Sequence, residues 1–289
     1  MISFVIPSYQ RADGAIFMIL NLLHQTVFTK YPTELILSID ETDTQKKLYA
    51  NYIIQAKKIA QEIVPACNIS LLVNQTKGLV AAKNNAVRAS KYEFIMMLDD
   101  DLAAVDNYVE ALLADMKAAP SVGAISGFIV SYLSAISHTQ PSDFIEEVPK
   151  ESHLQTLKLD SNNGAWRTFF GKKEQVMDWS RINKNIPSTV RYTMDYFVNS
   201  YLFRRSAYNK IGGYSNDLNS KTSAHEEVDF TYRMRKAGYQ LLFNPFVQMW
   251  HITVGHGGIY KGADYNESKE ILEKEYKESI PLFVQSISR

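Results

Sequence analysis

Asp99, Asp100 and Asp101 stand in a row directly behind the apolar run Phe94 to Leu98. A buried strand that ends in three carboxylates sets several negative oxygens at one sheet edge, where they repel one another unless a cation joins them. Oxygen donors favour a hard divalent ion, Mn or Mg, whose coordination is commonly completed by substrate phosphates, so a nucleotide diphosphate is the natural ligand. The alternative is an acidic turn that caps the following helix. Asp106, just ahead of the helical segment Tyr108 to Ala118, is the better cap, which leaves the triplet unexplained by capping. A second acidic group, Glu226, Glu227 and Asp229, opens a segment that runs through Tyr232 and Lys236 to Gly238 and has the form of a helix ended by glycine. Those three charges would complement a helix N-terminus even without a catalytic role.

The elements that must position these groups alternate along the first hundred residues. Ile2 to Ile6, Leu35 to Ile39, Ile69 to Val73 and Phe94 to Leu98 are apolar runs of strand length. Between them, Ala15 to Thr26, Thr44 to Ile63 and Leu79 to Ala89 carry helical periodicity. Strand and helix in turn predict a parallel sheet covered on both faces, with ligands at the carboxyl ends of the strands. That rule gathers Pro7, Ser8, Tyr9 and Arg11 after the first strand, Asp40 at the end of the second, Asn74 to Gly78 after the third, and the triplet after the fourth. Tyr9 suits a base ring, Asp40 a base N–H or ribose hydroxyl, and Lys83 a phosphate, with surface packing as the alternative for Tyr9 and Lys83.

With 289 residues, 46% hydrophobic and 12% aromatic, the chain can bury a full core as one large domain or as one domain with an extension. Lys plus Arg and Asp plus Glu both number 31, so no bulk charge draws it to nucleic acid or to an anionic membrane. The single cysteine, Cys67, excludes an internal disulfide framework and is expected in the core. No apolar run approaches the roughly 20 residues of a membrane span, and the chain reads as cytoplasmic.

Several segments together resemble family 2 glycosyltransferases of the GT-A fold: Val5 to Arg11, Leu22 to Thr26, Ala81 to Asn85, Leu98 to Asp101, Ile211 to Tyr214 and Trp250–His251. The resemblance implies a Rossmann-like mixed α/β sheet flanked by helices. It implies a GT-A domain over residues 1–260, with a nucleotide-binding half (1–130) and an acceptor and catalytic half (131–260), before a helical extension (261–289). In that family an Asp-x-Asp motif holds a divalent cation that bridges the donor diphosphate. By resemblance Asp99 and Asp101 are the metal-side carboxylates, Asp100 lies near the ribose, and His251 completes the metal site, with His256 as its competitor. Glu227 falls at the general base, where this chain carries Glu in place of Asp.

The implied activity is metal-dependent, inverting transfer of a sugar from a nucleotide diphosphate donor, expected to be a UDP-sugar, to a hydroxyl of a glycan or other acceptor, as in polysaccharide biosynthesis. A nucleotidyltransferase is the alternative enzyme, but the stretch Pro7 to Gly14 lacks the glycine-rich, lysine-containing phosphate loop expected of one. An inactive nucleotide-sugar or glycan-binding module is the alternative of another class. Trp166, Phe169, Phe170 and Trp179 suit either an acceptor-side insertion or a satellite core. The tail from Asn266 to Ser279, with Ile271, Leu272 and Tyr276 on one face, suits packing on the domain or on a second copy.

Overall fold

Four apolar runs form the parallel half of one sheet. In the computed structural model β1 (Ile2–Ser8), β2 (Thr33–Asp40), β3 (Cys67–Asn74) and β4 (Phe94–Met97) lie in the order β3-β2-β1-β4, all parallel. The structure describes residues 1–131, 156–158, 191–193, 197, 200–219 and 226–252. Every residue of β1 is buried, as a strand covered on both faces requires. Pairing of β1 with β4 ends at Val5 and Met97, so Pro7, which has no N–H to donate, lies beyond the ladder on that side.

The sheet then becomes mixed, as the GT-A resemblance implies. β9 (Tyr201–Arg204) lies antiparallel between β4 and β6 (Val122–Ser131), and β10 (Gln240–His251) pairs parallel with β6. β8 (Arg191–Thr193), β7 (Thr156–Lys158) and β5 (Leu102–Ala104) complete it among the described residues. The antiparallel pairing of β5 with the end of β10, His251 opposite Leu102, matters most for function. It brings a residue far along the chain beside the Asp triplet.

Alternate residues of β1 enter different cores. Val5 packs with α4 (Leu79–Ala89), α6 (Arg205–Ile211) and α7 (Glu226–Lys236) on one face of the sheet. Phe4 and Ile6 pack with α1 (Ala12–Leu22), α2 (Val27–Lys30), α3 (Lys46–Ile63) and α5 (Tyr108–Ala118) on the other. Cys67 is half-buried at the edge of that second core.

Local expectations shift in two places, the first helix and the cap of α5. The first helix starts at Ala12 and stops at Leu22, and a separate short helix begins at Val27. Gln25 lies at that break, where its side chain donates to the Val105 carbonyl (2.6 Å) and accepts from Val109 N (3.1 Å). β10 runs on through Pro245, with a register shift against β6 between Asn244 and Gln248. β9 ends at Arg204, and Arg205 begins α6 directly. Asp106 does not cap α5: Asn107 holds that position without a side-chain cap bond, and the Asp106 carbonyl accepts from Thr26 N (2.8 Å). The Asp triplet leads into strand β5 and not into a helix, which removes the capping explanation for it.

Candidate active site

The β1 to α1 turn is shaped by the start of α3. Gln10 adopts φ 53°, a left-handed conformation unfavourable for a side chain with a Cβ, and Asp43 Oδ2 accepts its N–H at 2.6 Å. Tyr49, fully buried, accepts from Arg11 N (2.9 Å) and shares a hydrogen bond with Ser8 Oγ (2.8 Å). Ser8 Oγ in turn donates to Asp100 Oδ2. Burial pushes the Tyr49 phenol well above its ordinary value, so it stays neutral.

This turn aims Arg11 at the triplet. Its Nη1 lies 3.1 Å from Asp100 Oδ1 and 2.7 Å from Asp101 Oδ2. The other Asp101 oxygen, Oδ1, lies 3.2 Å from His251 Nε2 yet is buried without a well-directed hydrogen bond. Ile252 N donates to the Asp101 carbonyl at 2.7 Å, which fixes the end of β10 against the triplet. Burial would raise the Asp101 carboxyl, but His251 and Arg11 more than offset it and hold it below the usual range. Desolvation pushes Asp100 up to about 6, against the pull of Ser8 and Arg11. It pushes Asp99 up to about 7, although Lys83 opposes it. The Asp99 backbone N–H donates to Ser200 Oγ (3.1 Å), which ties the triplet's first peptide to the residue before β9.

A second cluster joins α4 to the start of α7. Lys83 is fully buried, with Nζ 2.8 Å from Glu226 Oε1 and in contact with Glu227 Oε1. Burial opposes the ammonium, yet Glu226 and Glu227 raise its pKa well above the ordinary lysine value. Burial and the adjacent Glu227 push Glu226 up; burial acts the same way on Glu227, but Lys83 and Glu226 together outweigh it and hold Glu227 below the usual range. The side chain of Glu226 is 2% exposed and that of Glu227 15%, so Glu227 is the more accessible carboxylate of the pair.

Asn84 and Asn219 hold this cluster in place. Asn84 Oδ1 accepts from Tyr208 OH (2.8 Å) and Tyr214 N (3.0 Å), and its Nδ2 donates to the Tyr214 carbonyl (3.0 Å). Asn219 accepts from Ala81 N (3.1 Å) and donates to the Lys77 carbonyl (2.9 Å). Gly78, at φ 106°, lies against Asn219 so closely that a Cβ would fall 2.2 Å from its Oδ1.

The expected site residues thus fall into distinct settings. Ser8, Arg11, Asp100, Asp101 and His251 are brought together, as are Lys83 and Glu227, and Asp99 feels charges from both groups. Lys83, expected to face a phosphate, has its ammonium enclosed between two carboxylates. Asp40 Oδ1 is bonded to its own loop, accepting from Thr42 N and Thr42 Oγ1, both at 2.8 Å. Tyr9 is exposed beyond the end of β1 and Pro7 is buried within it. Asp99, Asp101 and His251 do not converge as a ready-made ligand set: among the described residues no three His, Cys, Asp or Glu side chains do. The donor chemistry nevertheless fits a hard cation. Five carboxylates (Asp99, Asp100, Asp101, Glu226, Glu227) face two fixed cations (Arg11, Lys83), and one buried Asp101 oxygen has no hydrogen-bond partner. His256, the aromatic stretch around Trp166 and the tail from Asn266 lie outside the described residues.

Sequence reasoning missed Tyr49, Asp43 and Asn219. Tyr49 occupies the buried face of an amphipathic helix, where periodicity marks it only as core, and Asn219 lies more than 130 residues from its partner Ala81.

A mixed α/β sheet with acidic groups gathered at its strand ends is the architecture of GT-A glycosyltransferases. The model described as Glycosyl transferase family 2 matches residues 3–177, and the chain belongs to that family. A mannosyltransferase of Pyrobaculum calidifontis, PcManGT, solved with GDP-Man and Mn2+, is similar at TM-score 0.58 and 14% identity, over 99% of this chain and 68% of that one. GalNAc-T7, solved with UDP, GalNAc and Mn2+, gives TM-score 0.61 and 14% identity over 94% of this chain and 47% of its own. S. aureus TarS 1-349, solved with UDP-GlcNAc, gives 0.58 and 12% over 95% and 66%. At these identities the likeness is one of fold, and this chain spans about half of the GalNAc-T7 structure. A comparison with curated protein sequences gives no match. No helix among the described residues is long and apolar enough to cross a membrane.

Proposed function

We propose that this chain transfers a sugar from a nucleotide diphosphate sugar, a UDP-sugar first among the candidates, to a hydroxyl of a glycan or similar acceptor, with inversion at the anomeric carbon. The observation that carries this reading is the pairing of Glu227, the more exposed carboxylate of its cluster, with the buried Lys83 ammonium. A carboxylate kept ionised at the edge of the site is suited to take a proton from an attacking hydroxyl. In that step the acceptor O–H proton passes to Glu227, and the acceptor oxygen bonds to the anomeric carbon on the face opposite the leaving group. The bond from that carbon to the diphosphate breaks with its electron pair on the diphosphate.

Asp99, Asp101 and His251 are the residues that would hold Mn or Mg, with Asp101 offering its hydrogen-bond-free oxygen. A divalent cation, when bound, neutralises the developing charge of the leaving diphosphate. Arg11, Ser8 and Tyr49 keep Asp100 and Asp101 in place. Tyr9 and Asp40 are assigned to the base and ribose at the ends of β1 and β2. The PcManGT and GalNAc-T7 structures, both solved with Mn2+, support the choice of cation.

Calorimetric titration of nucleoside diphosphates and nucleotide sugars, with and without Mn, tests this assignment on the wild type and on an Asp99→Ala/Asp101→Ala variant. Metal-dependent binding of one nucleotide, lost in the variant, is the expected result. Failure of every nucleotide to bind would overturn it, and tight binding without turnover against any acceptor would reassign the chain as a binding module.

A further inference from the structure

We infer that Lys83 is a positioning residue for the base Glu227 and not a donor ligand. The inference rests on the proposed transferase activity and deepens it. Three observations carry it. First, Lys83 has no solvent exposure, so its ammonium has no route to a diphosphate without displacement of its neighbours. Second, its contacts run to Glu226 Oε1 at 2.8 Å, to Glu227 Oε1, and to the face of the Tyr214 ring with Nζ 5.6 Å from the centroid. All three partners come from the second half of the chain. Third, the backbone that carries it is itself clamped. Asn84, the next residue, holds the Tyr214 backbone by two hydrogen bonds, and Asn219 holds the first turn of α4.

Lys83 is therefore the joint between the two halves of the site. It lies on a helix that packs against the nucleotide-side strands β1 and β2, and it fixes the rotamer of a carboxylate on the acceptor side. Lysine suits this place because a compact ammonium with three donors can bond two carboxylates from one point. Glu226, itself almost fully buried, takes one of those bonds and locks the ammonium. Glu227 takes another and keeps its charge, as the more exposed carboxylate of the pair. The charged groups that face Glu227 are Lys83 from α4, Glu226 from its own helix and Asp99 from the end of β4. The longer reach of Glu relative to Asp at this position fits the arrangement, since the carboxylate must span to the lysine while serving the acceptor.

The two roles for Lys83 separate kinetically. A donor ligand would show its loss in nucleotide affinity, whereas a residue that orients the base shows it in turnover. The experiment is calorimetry of UDP with Mn and steady-state kinetics with the nucleotide sugar that the titration identifies, on wild type, Lys83→Met and Lys83→Arg, with thermal melts of all three. Lys83→Met is expected to lower kcat by about 10²-fold or more while the nucleotide Kd stays within about twofold. Lys83→Arg is expected to lower kcat less, because the charge survives and only the geometry of Glu227 changes. If Lys83→Met melts below the assay temperature, the same split in Lys83→Arg carries the test. A nucleotide Kd weakened about tenfold with kcat intact would overturn the inference and restore Lys83 as a phosphate ligand. Unchanged kcat in both variants would overturn it too. Absence of nucleotide binding by the wild type would instead overturn the transferase reading beneath it, and the inference with it.

Discussion

In the strand-end cluster the Arg11 guanidinium lies between Asp100 and Asp101, and in the helix-borne cluster the Lys83 ammonium lies between Glu226 and Glu227. The two balance charge alike, one cation to two consecutive carboxylates, but leave different atoms for chemistry. Arg11 engages both partners through one nitrogen, and the far oxygen of Asp101 is left beside His251 with no hydrogen bond. Lys83 leaves Glu227 as the more exposed member of its pair. A buried, hydrogen-bond-free oxygen beside an imidazole is suited to a cation, whereas an ionised carboxylate at the edge of solvent is suited to a proton. The same local charge balance is thus compatible with two different tasks.

The contrast can be broken most directly at Glu227. Glu227→Gln keeps shape and hydrogen bonding but cannot take a proton; kcat should fall about 10²- to 10⁴-fold in steady-state assays while metal-dependent UDP affinity holds. A fall of only a few fold would assign the base elsewhere. Asp101→Asn should do the reverse and weaken Mn-dependent UDP binding about tenfold or more, or roughly 1.4 kcal/mol, in calorimetry. Equal loss of affinity in both variants would mean that the clusters share one task. Tyr49→Phe removes the hydroxyl that bridges Arg11 N and Ser8 Oγ, and urea unfolding should show about 1–2 kcal/mol lower stability, with the helix-borne cluster untouched. The smallest effect belongs to Gln10→Gly. Relief of the left-handed strain should outweigh the added chain entropy and raise stability by about 0.5 kcal/mol in the same measurement.

Much of this was legible in the residues themselves. The four apolar runs became β1 to β4 in parallel order, and the helix over Leu79–Ala89 and the one over Tyr108–Ala118 fall where periodicity puts them. Glu226 and Glu227 open a helix, as the acidic start and the closing Gly238 require. Such features are legible because backbone propensity, burial period and capping act over a few residues. The partners of Lys83 were hidden for the opposite reason. A lysine on a helix beside a nucleotide crevice looks like a phosphate ligand, and nothing near it in sequence announces Glu226, which lies 143 positions away.

What the sequence determined by itself is the family, the alternation of strand and helix, and the chemical types at the strand ends, since each depends on residue identity and short-range order. Tertiary structure alone decided which cation meets which carboxylate. Pairing of β5 with β10 brings His251 to Asp101, and docking of α7 beside α4 encloses Lys83. Electrostatic partners are chosen by distance and burial in space, and those are set only once the long-range strand pairing and the two cores have formed.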